Sequence, residues 1–417
     1  MKKKKQVVFL EAYSTAMSSK MAELLKKKGY ETVLIRLLKP TQANLEFYDN
    51  LYDNVINVNL NFARLSIKNF PSILISLLKN LKSLFLASIK IFKLKPYVII
   101  GRAAPSWPVA IFRRLFKKTP LIYFPYDIRA LLYPTVEVAK KIGGLSKFEI
   151  KSERFCLENC DGILHKSDPN ALNFINGMML GNNISLPNPK LSLLPYCSRE
   201  YMVPLNKKKI SKKDNGIHIV YINSIGADAG IYRDLFFMAK EIINAKIHFH
   251  LYSQLNTESK GNPGKDTFTK EYKNSSNFNY FHIHESKNPK QIVGEISKYD
   301  YGFYPIPPKY DYKMRDPEFT LGNKISTYLE AGIPFFYSNE HKYIDKLMRN
   351  YGLKLPFTPE ELKVTKNLRK KLKNINYKKI EKNILKARED FLMEKQVLRL
   401  EKFIQEVVRE KHAKSEI

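Results

Sequence analysis

Leu321–Phe336 reads LGNKISTYLEAGIPFF, a turn, a short helix and the opening of a strand. Gly322 lets the backbone turn closely after a loop, and Asn323 is of a type suited to cap the helix that follows. Lys324 then falls in the first helical turn, where the helix dipole alone disfavours a cation. Two readings follow: an anion bound there compensates, or the segment is an ordinary helix with an exposed lysine. Gly332 ends the helix and Pro334 opens the next strand.

Around this segment the chain alternates short apolar runs with helical ones. In the C-terminal half the strand candidates are GIHIVYINSIG (216–226), KIHFHLYS (246–253), NYFHIHE (279–285), DYGFYPI (300–306) and IPFFYSN (333–339). Helical segments fit between them at 232–245, 289–298, 323–331 and 342–351, and the polar stretch 254–278 reads as a long loop. In the N-terminal half the strands are QVVFLEA (6–12), ETVLIRL (31–37), PYVIIGR (96–102), PLIYFPYD (120–127) and DGILHKS (161–167). Strand–helix alternation with uniformly apolar strands predicts parallel sheets covered on both faces. The charged segment YMVPLNKKKISKKDNG (201–216) separates the halves. The expected architecture is therefore α/β, with a Rossmann-like N-terminal domain at 1–203, a linker at 204–215 and a second Rossmann-like domain at 216–358. Residues 359–417 form charged C-terminal helices that cross back to the first domain. In such folds ligands bind outside the carboxyl ends of the strands, so two domains facing across a cleft would hold one ligand each.

Composition narrows the function classes. The 417 residues suit two domains, and 44% apolar content suffices for two cores. A formal net charge of +31 favours anionic partners. The runs Lys2–Lys5 and Lys207–Lys209 come without any nucleic-acid-binding signature, so nucleic acid is not expected as a partner. Three cysteines, Cys156, Cys160 and Cys197, point to a reducing compartment. The apolar stretch behind the N-terminal lysines is broken at Glu11, so a cytoplasmic protein without a cleaved signal is expected. No window approaches the roughly 20 apolar residues of a spanning helix. In residues 66–94, however, Lys79, Lys82, Lys90 and Lys93 fall in one arc at about 100° per residue, beside a broad apolar remainder. That pattern fits a helix at a membrane surface or a core-facing helix with a solvated lysine edge; with the overall charge it suggests peripheral attachment to the inner face of the cell membrane.

The string N-K-I-x-x-Y-L-x-A-G-I-P at 323–334 resembles the donor-binding segment of GT-4-like (group 1) glycosyltransferases of the GT-B type. PYVIIGR, PLIYFPYDI, the helix bearing Glu149, Glu153 and Glu158, and CDGILHKS follow in the order of that family's acceptor domain. LSLLPYCS is similar to its last N-domain strand, and IHIVYINSIG, IHFHLYSQ and YDYGFYPI to strands of its donor domain. The resemblance covers residues 1–355. It implies a nucleotide-sugar-dependent transferase of cell-surface glycan assembly, with a saccharide or lipid-linked saccharide as acceptor and the nucleoside diphosphate sugar as its only cofactor-like ligand. Lys324 would meet the donor diphosphate, Asn323 would shape its loop, and Gly226 with Arg233 would face the phosphates. Tyr304 and Pro305 would lie near the nucleotide. The family's ribose-binding Glu position is Thr327 here, with Glu330 three residues further on, and the usual Arg-plus-Lys pair is reduced to Arg233.

On the acceptor side Asp127, at the end of PLIYFPYD, is the candidate general base of an inverting reaction, or else a cap for IRALL. The pairs His248/His250 and His282/His284 each share one face of a strand; buried strand histidines are the expected reading over a metal site. The absence of a D-x-D triplet fits a metal-independent transfer. EAYSTAMSS at the first strand–helix junction lacks the glycines of a dinucleotide site, which argues against hydride chemistry. Two further readings stay open: a sugar-nucleotide epimerase on the same scaffold, and a catalytically silent homologue serving as an assembly subunit.

Overall fold

The computed structural model describes residues 4–12, 15–38, 45–60, 70–103, 105–141, 144–175, 184–194, 196–224, 229–254, 278–285, 287–306, 316–363 and 365–414. The chain divides into two compact units. One takes the chain up to Leu194 and again from Met393; the other takes the intervening chain to Leu392, apart from a short piece around Asp316.

The first unit is built on a 7-stranded sheet: β1 (Gln6–Glu11), β2 (Glu31–Leu38), β3 (Asn54–Leu60), β4 (Val98–Arg102), β5 (Leu121–Phe124), β6 (Gly162–His165) and β7 (Lys190–Ser192). The order is β3-β2-β1-β4-β5-β6-β7, and all pairings are parallel. β4, β5 and β6 are buried at every position, which requires cover on both sheet faces. Helices α1 (Ala16–Lys27), α2 (Phe70–Leu94), α3 (Trp107–Leu115) and α4 (Lys147–Asn159) lie in the connections. The start of α1 is fixed by a reciprocal capping box between Thr15 and Ser18. Carboxylates of α4 serve the neighbouring backbone: Glu149 accepts from Ser106 N at 2.6 Å and Trp107 N at 3.3 Å, and Glu153 accepts from Arg129 N at 3.0 Å.

The C-terminal helix, Met393–Ala413, belongs to this first unit. Its inward row includes Val397, Leu400, Ile404 and Val407. Tyr30 Oη donates to Glu401 Oε1 at 3.3 Å, and Lys411 pairs with Asp161 at 3.1 Å.

The second unit carries a 6-stranded parallel sheet: β8 (His218–Ser224), β9 (His248–Gln254), β10 (Phe281–Glu285), β11 (Tyr301–Tyr304), β12 (Phe335–Ser338) and β13 (Pro356–Phe357). Its order, β10-β9-β8-β11-β12-β13, reverses direction of growth beside β8, the doubly wound pattern whose switch point marks the ligand crevice. The connecting helices include α5 (Ala229–Asn244), α6 (Pro289–Ile296), α7 (Lys324–Glu330) and α8 (Lys342–Arg349), with α9 (Tyr377–Asp390) following the sheet.

The segment expected as a linker at 204–215 is instead part of this unit. Lys209 is buried and donates to the carbonyls of Ser297 at 2.8 Å and Tyr299 at 2.9 Å, and burial pushes its ammonium down to about 8. Ser211 Oγ donates to Asp300 at 2.6 Å. Upstream of it, Cys197 N donates to Phe391 O at 2.9 Å and Ser198 N to Glu330 Oε1 at 2.6 Å. The chain therefore changes units before 204, where Leu194 ends the first. Residues 255–277 of the expected long loop lie outside the described residues.

Candidate functional site

In the second unit, α7 is seated on the sheet by Tyr328. That side chain is fully buried, and its hydroxyl donates to Phe303 O at 2.8 Å, with Val220 O at 3.3 Å. The ring lies flat over Gly302, where a Cβ would come within 2.6 Å of it. This close seating delivers Lys324, the first residue of α7, to the middle of β8. Its Nζ stands 4.6 Å from the centre of the Tyr221 ring and 5.5 Å from that of Tyr304, and donates to Tyr221 Oη at 3.4 Å. Burial alone lowers the ammonium to about 8. Among the described residues no carboxylate lies within ion-pair reach of it. A desolvated cation between aromatic faces is chemically suited to an anion.

Tyr304, at the end of β11, lies against His341, ring centres 4.6 Å apart. Its hydroxyl covers Gly322, where any side chain would collide: a Cβ would fall 1.8 Å from Tyr304 Oη. Asn323 departs from expectation. Its backbone is already helical, at φ −60° and ψ −30°, and its side chain makes no cap bond, because capping needs an extended residue. Its Oδ1 is buried without a hydrogen-bond partner among the described residues.

The remaining residues expected to bind the donor divide as follows. Pro305 follows Tyr304 half-buried, and Thr327 is half-buried on α7. Glu330 does not approach this group: it is buried, and its carboxylate holds Ser198 N at 2.6 Å while its carbonyl accepts from Val203 N at 3.2 Å. Three residues beyond Thr327 on a helix, it serves the incoming chain rather than a ribose. Arg233 lies on α5 with its side chain outside the described residues, and Gly226 lies outside them altogether. Tyr221 and His341 were not foreseen; an aromatic residue inside an apolar strand carries no signal that separates it from core.

In the first unit, the carboxyl ends of β1, β4, β5 and β6 gather a charged group. Glu11 is fully buried, accepts from Ser18 Oγ at 2.9 Å and lies 3.7 Å from Arg102. Burial outweighs the Arg102 charge and raises its carboxyl to about 7. The Arg102 guanidinium lies 4.2 Å and the Lys166 ammonium 3.9 Å from the centre of the Tyr126 ring. Lys166 in turn pairs with Asp127 at 3.0 Å. Desolvation acts to raise the Asp127 carboxyl, but Lys166, Arg102 and Arg129 outweigh it and hold it below the usual carboxylate range. Asp127, the expected general base, lies in this cluster at the carboxyl end of β5, held ionised by its pairing with Lys166. It does not cap the following helix, whose N-cap is Ile128 with no side-chain bond.

No protein-family model matches the sequence, and no curated protein sequence matches it. Solved structures do match in shape. Sucrose-phosphate synthase of Thermosynechococcus elongatus superposes with a TM-score of 0.65 at 11% identity, over 97% of this chain and 99% of that one. HepE of Anabaena, solved in complex with UDP-glucose, gives 0.63 at 10% identity over 99% of both chains. A glycosyltransferase of Rickettsia africae gives 0.62 at 12% identity, over 97% of this chain and 99% of that one. The fold is GT-B.

Proposed function

We propose that the chain is a glycosyltransferase that moves a sugar from a nucleoside diphosphate sugar to a saccharide or lipid-linked saccharide. The observation that carries this reading is Lys324: a buried ammonium at the sheet's switch point, flanked by Tyr221 and Tyr304 and lacking a counter-ion among the described residues. The diphosphate of a donor supplies that charge. HepE, which shares the fold, was solved with UDP-glucose.

In the transfer, an acceptor hydroxyl oxygen bonds to the anomeric carbon, the carbon–oxygen bond to the diphosphate breaks, and the hydroxyl proton leaves to a base. Lys324 stabilises the charge that builds on the departing diphosphate. Arg102 and Lys166 orient an anionic acceptor. The sequence has no D-x-D triplet, which supports a donor held by lysine and backbone without a catalytic metal, and no cofactor beyond the donor itself.

We further place the enzyme peripherally at the cytoplasmic membrane surface. Among the described residues no helix is long and apolar enough to cross a membrane, but α2 turns apolar side chains outward. Leu84, Ala87 and Ile91 are buried, whereas Phe85 is 65% and Phe92 72% exposed, beside exposed Leu86, Lys82, Lys90 and Lys93. The side chain of Lys79 lies outside the described residues. Outward phenylalanines bordered by lysines fit an anionic lipid surface, as membrane delivery of a lipid-linked acceptor requires.

A second reading, a silent GT-B homologue, draws on Thr327 in the ribose position with Glu330 engaged elsewhere. A thermal-shift screen against sugar nucleotides separates the two. Stabilisation by one nucleotide class, with slow release of free nucleoside diphosphate in the absence of acceptor, supports the transferase. No stabilisation by any of them overturns it.

A further inference from the structure

Five of the eight histidines stand together on one face of the second sheet, at the end opposite the Lys324 group. His218 opens β8, His248 and His250 open β9, and His282 and His284 lie on β10. The register sets His218 beside His248 and His250 beside His282, and the rings then pair along diagonals. His218 Nδ1 meets His250 Nε2 at 2.9 Å, His248 Nδ1 meets His282 Nε2 at 3.0 Å, and His250 Nδ1 meets His284 Nε2 at 3.0 Å. At the amino-terminal edge this ladder ends on a carboxylate: His218 Nε2 lies 2.9 Å from Asp214 Oδ2.

We infer that Asp214, His218 and His248 form a binding site for a divalent transition ion of the zinc class. One ligand atom from each of the three lies within 4.8 Å of the others. Two imidazoles and a carboxylate are a donor set for zinc, with bonds of about 2.0–2.2 Å. Asp214 is exposed and His248 half-buried, so both can turn towards Nε2 of the buried His218, whose ring is stacked on that of His248 at 4.4 Å.

Two features are built for it. Each candidate histidine has its Nδ1 already against a second imidazole, His218 on His250 and His248 on His282; with an ion on Nε2, Nδ1–H would donate to that imidazole. Metal-ligating histidines are oriented in this way. The second feature is Gly216. Its N–H donates to Asp214 Oδ1 at 2.8 Å, and a Cβ there would lie 3.0 Å from Asp214 Oδ1, 3.0 Å from His248 Cδ2 and 3.2 Å from His218 Nε2. The absent side chain leaves open the space that the three donors border. A bound ion would tie the turn Ser211–Asp214 to β8 and β9, a structural task remote from the donor site.

The test uses the untagged full chain, stripped with a chelator and titrated with zinc against a chromophoric competitor, and with cobalt read by its visible absorption. One equivalent of zinc per chain is expected, with a cobalt spectrum of tetrahedral type. His248→Gln and Asp214→Asn weaken zinc by about tenfold or more, and Gly216→Ala does so although it removes no ligand. His412→Ala, elsewhere on the chain, leaves it unchanged. Circular dichroism of each stripped variant checks that the fold is kept; a variant that unfolds is replaced by Gly216→Ser, read in the same titration. No binding, or equal binding by wild type, His248→Gln and Gly216→Ala, overturns the assignment.

Discussion

The ammonium of Lys324 stands over the Tyr221 ring, 4.6 Å from its centre, and donates to the hydroxyl of the same residue at 3.4 Å. The contact holds the cation in place without neutralising it. Burial lowers Lys324 to about 8, so the ammonium keeps its charge at neutral pH and loses it in mildly alkaline solution. An anion binds the protonated form. Donor affinity is therefore expected to be constant below pH 7 and to fall as pH rises through about 8, while Lys324→Arg, always charged, shows no such fall. Calorimetric titration from pH 6 to pH 9.5 checks this; parallel curves for the two proteins would contradict it.

Gly322 and Tyr304 are a coupled pair. A Cβ at 322 would lie 1.8 Å from the Tyr304 hydroxyl, so Gly322→Ala must expel the ring. Overpacking of this kind costs about 1–3 kcal/mol, and loss of the ring from beside Lys324 lowers donor affinity as well. In the background of Tyr304→Ala the same alanine is nearly neutral for stability, a non-additivity that a double-mutant cycle by urea unfolding measures. Additive effects would show that the ring does not cover Gly322.

Glu11 carries a pH signature in stability. Its folded carboxyl is raised to about 7 from the ordinary 4.5 by burial, so the native state favours the neutral acid. That contribution is fully present below pH 4.5 and is lost as pH rises through 7. Each tenfold change in proton affinity is worth about 1.4 kcal/mol, so the loss amounts to about 3 kcal/mol. Glu11→Gln is expected to gain stability relative to wild type as pH goes from 5 to 8, read as the difference in urea midpoints. A pH-independent difference would mean that Glu11 is ionised throughout.

Charge and apolar contacts of α2 should act together at a lipid surface. Replacing Lys82, Lys90 and Lys93 by Gln removes about 1 kcal/mol each of attraction to anionic lipid, roughly a hundredfold in partition. Phe85→Ser with Phe92→Ser weakens binding to anionic vesicles without altering the salt dependence. Vesicle co-sedimentation at two ionic strengths distinguishes the two effects. Wild type that stays in the supernatant with anionic vesicles would remove the membrane from the account.

The fold was legible where strands carry an unbroken apolar run, as in VVFL of β1 and VII of β4, because burial on both sheet faces demands apolar residues at successive positions. β3 was not. Its sequence, NVINVNL, interleaves asparagines, and only Val58 and Leu60 are buried, the pattern of an edge that resembles a loop. The two residues of β13 are too few to carry a period. The lysine-rich run at 207–209 suggested a linker because composition cannot show that Lys209 ends on two carbonyls. Around the candidate site, Lys324 could be placed from turn and helix signals, and Tyr304 from the family resemblance. Tyr221 could not, nor the histidine ladder, since both depend on which strands are neighbours and in what register. The direction of Glu330, towards Ser198, likewise depends on how the incoming chain packs against α7.

Calorimetric titration of wild type and Lys324→Met with sugar nucleotides at pH 7 tests the donor site most directly. Removing a charged partner of the diphosphate costs about 1.5–3 kcal/mol, so the account predicts saturable binding of a nucleoside diphosphate sugar that weakens roughly tenfold to a hundredfold in the variant while its unfolding is unchanged. Equal affinity in both proteins, or no binding by wild type, would contradict it.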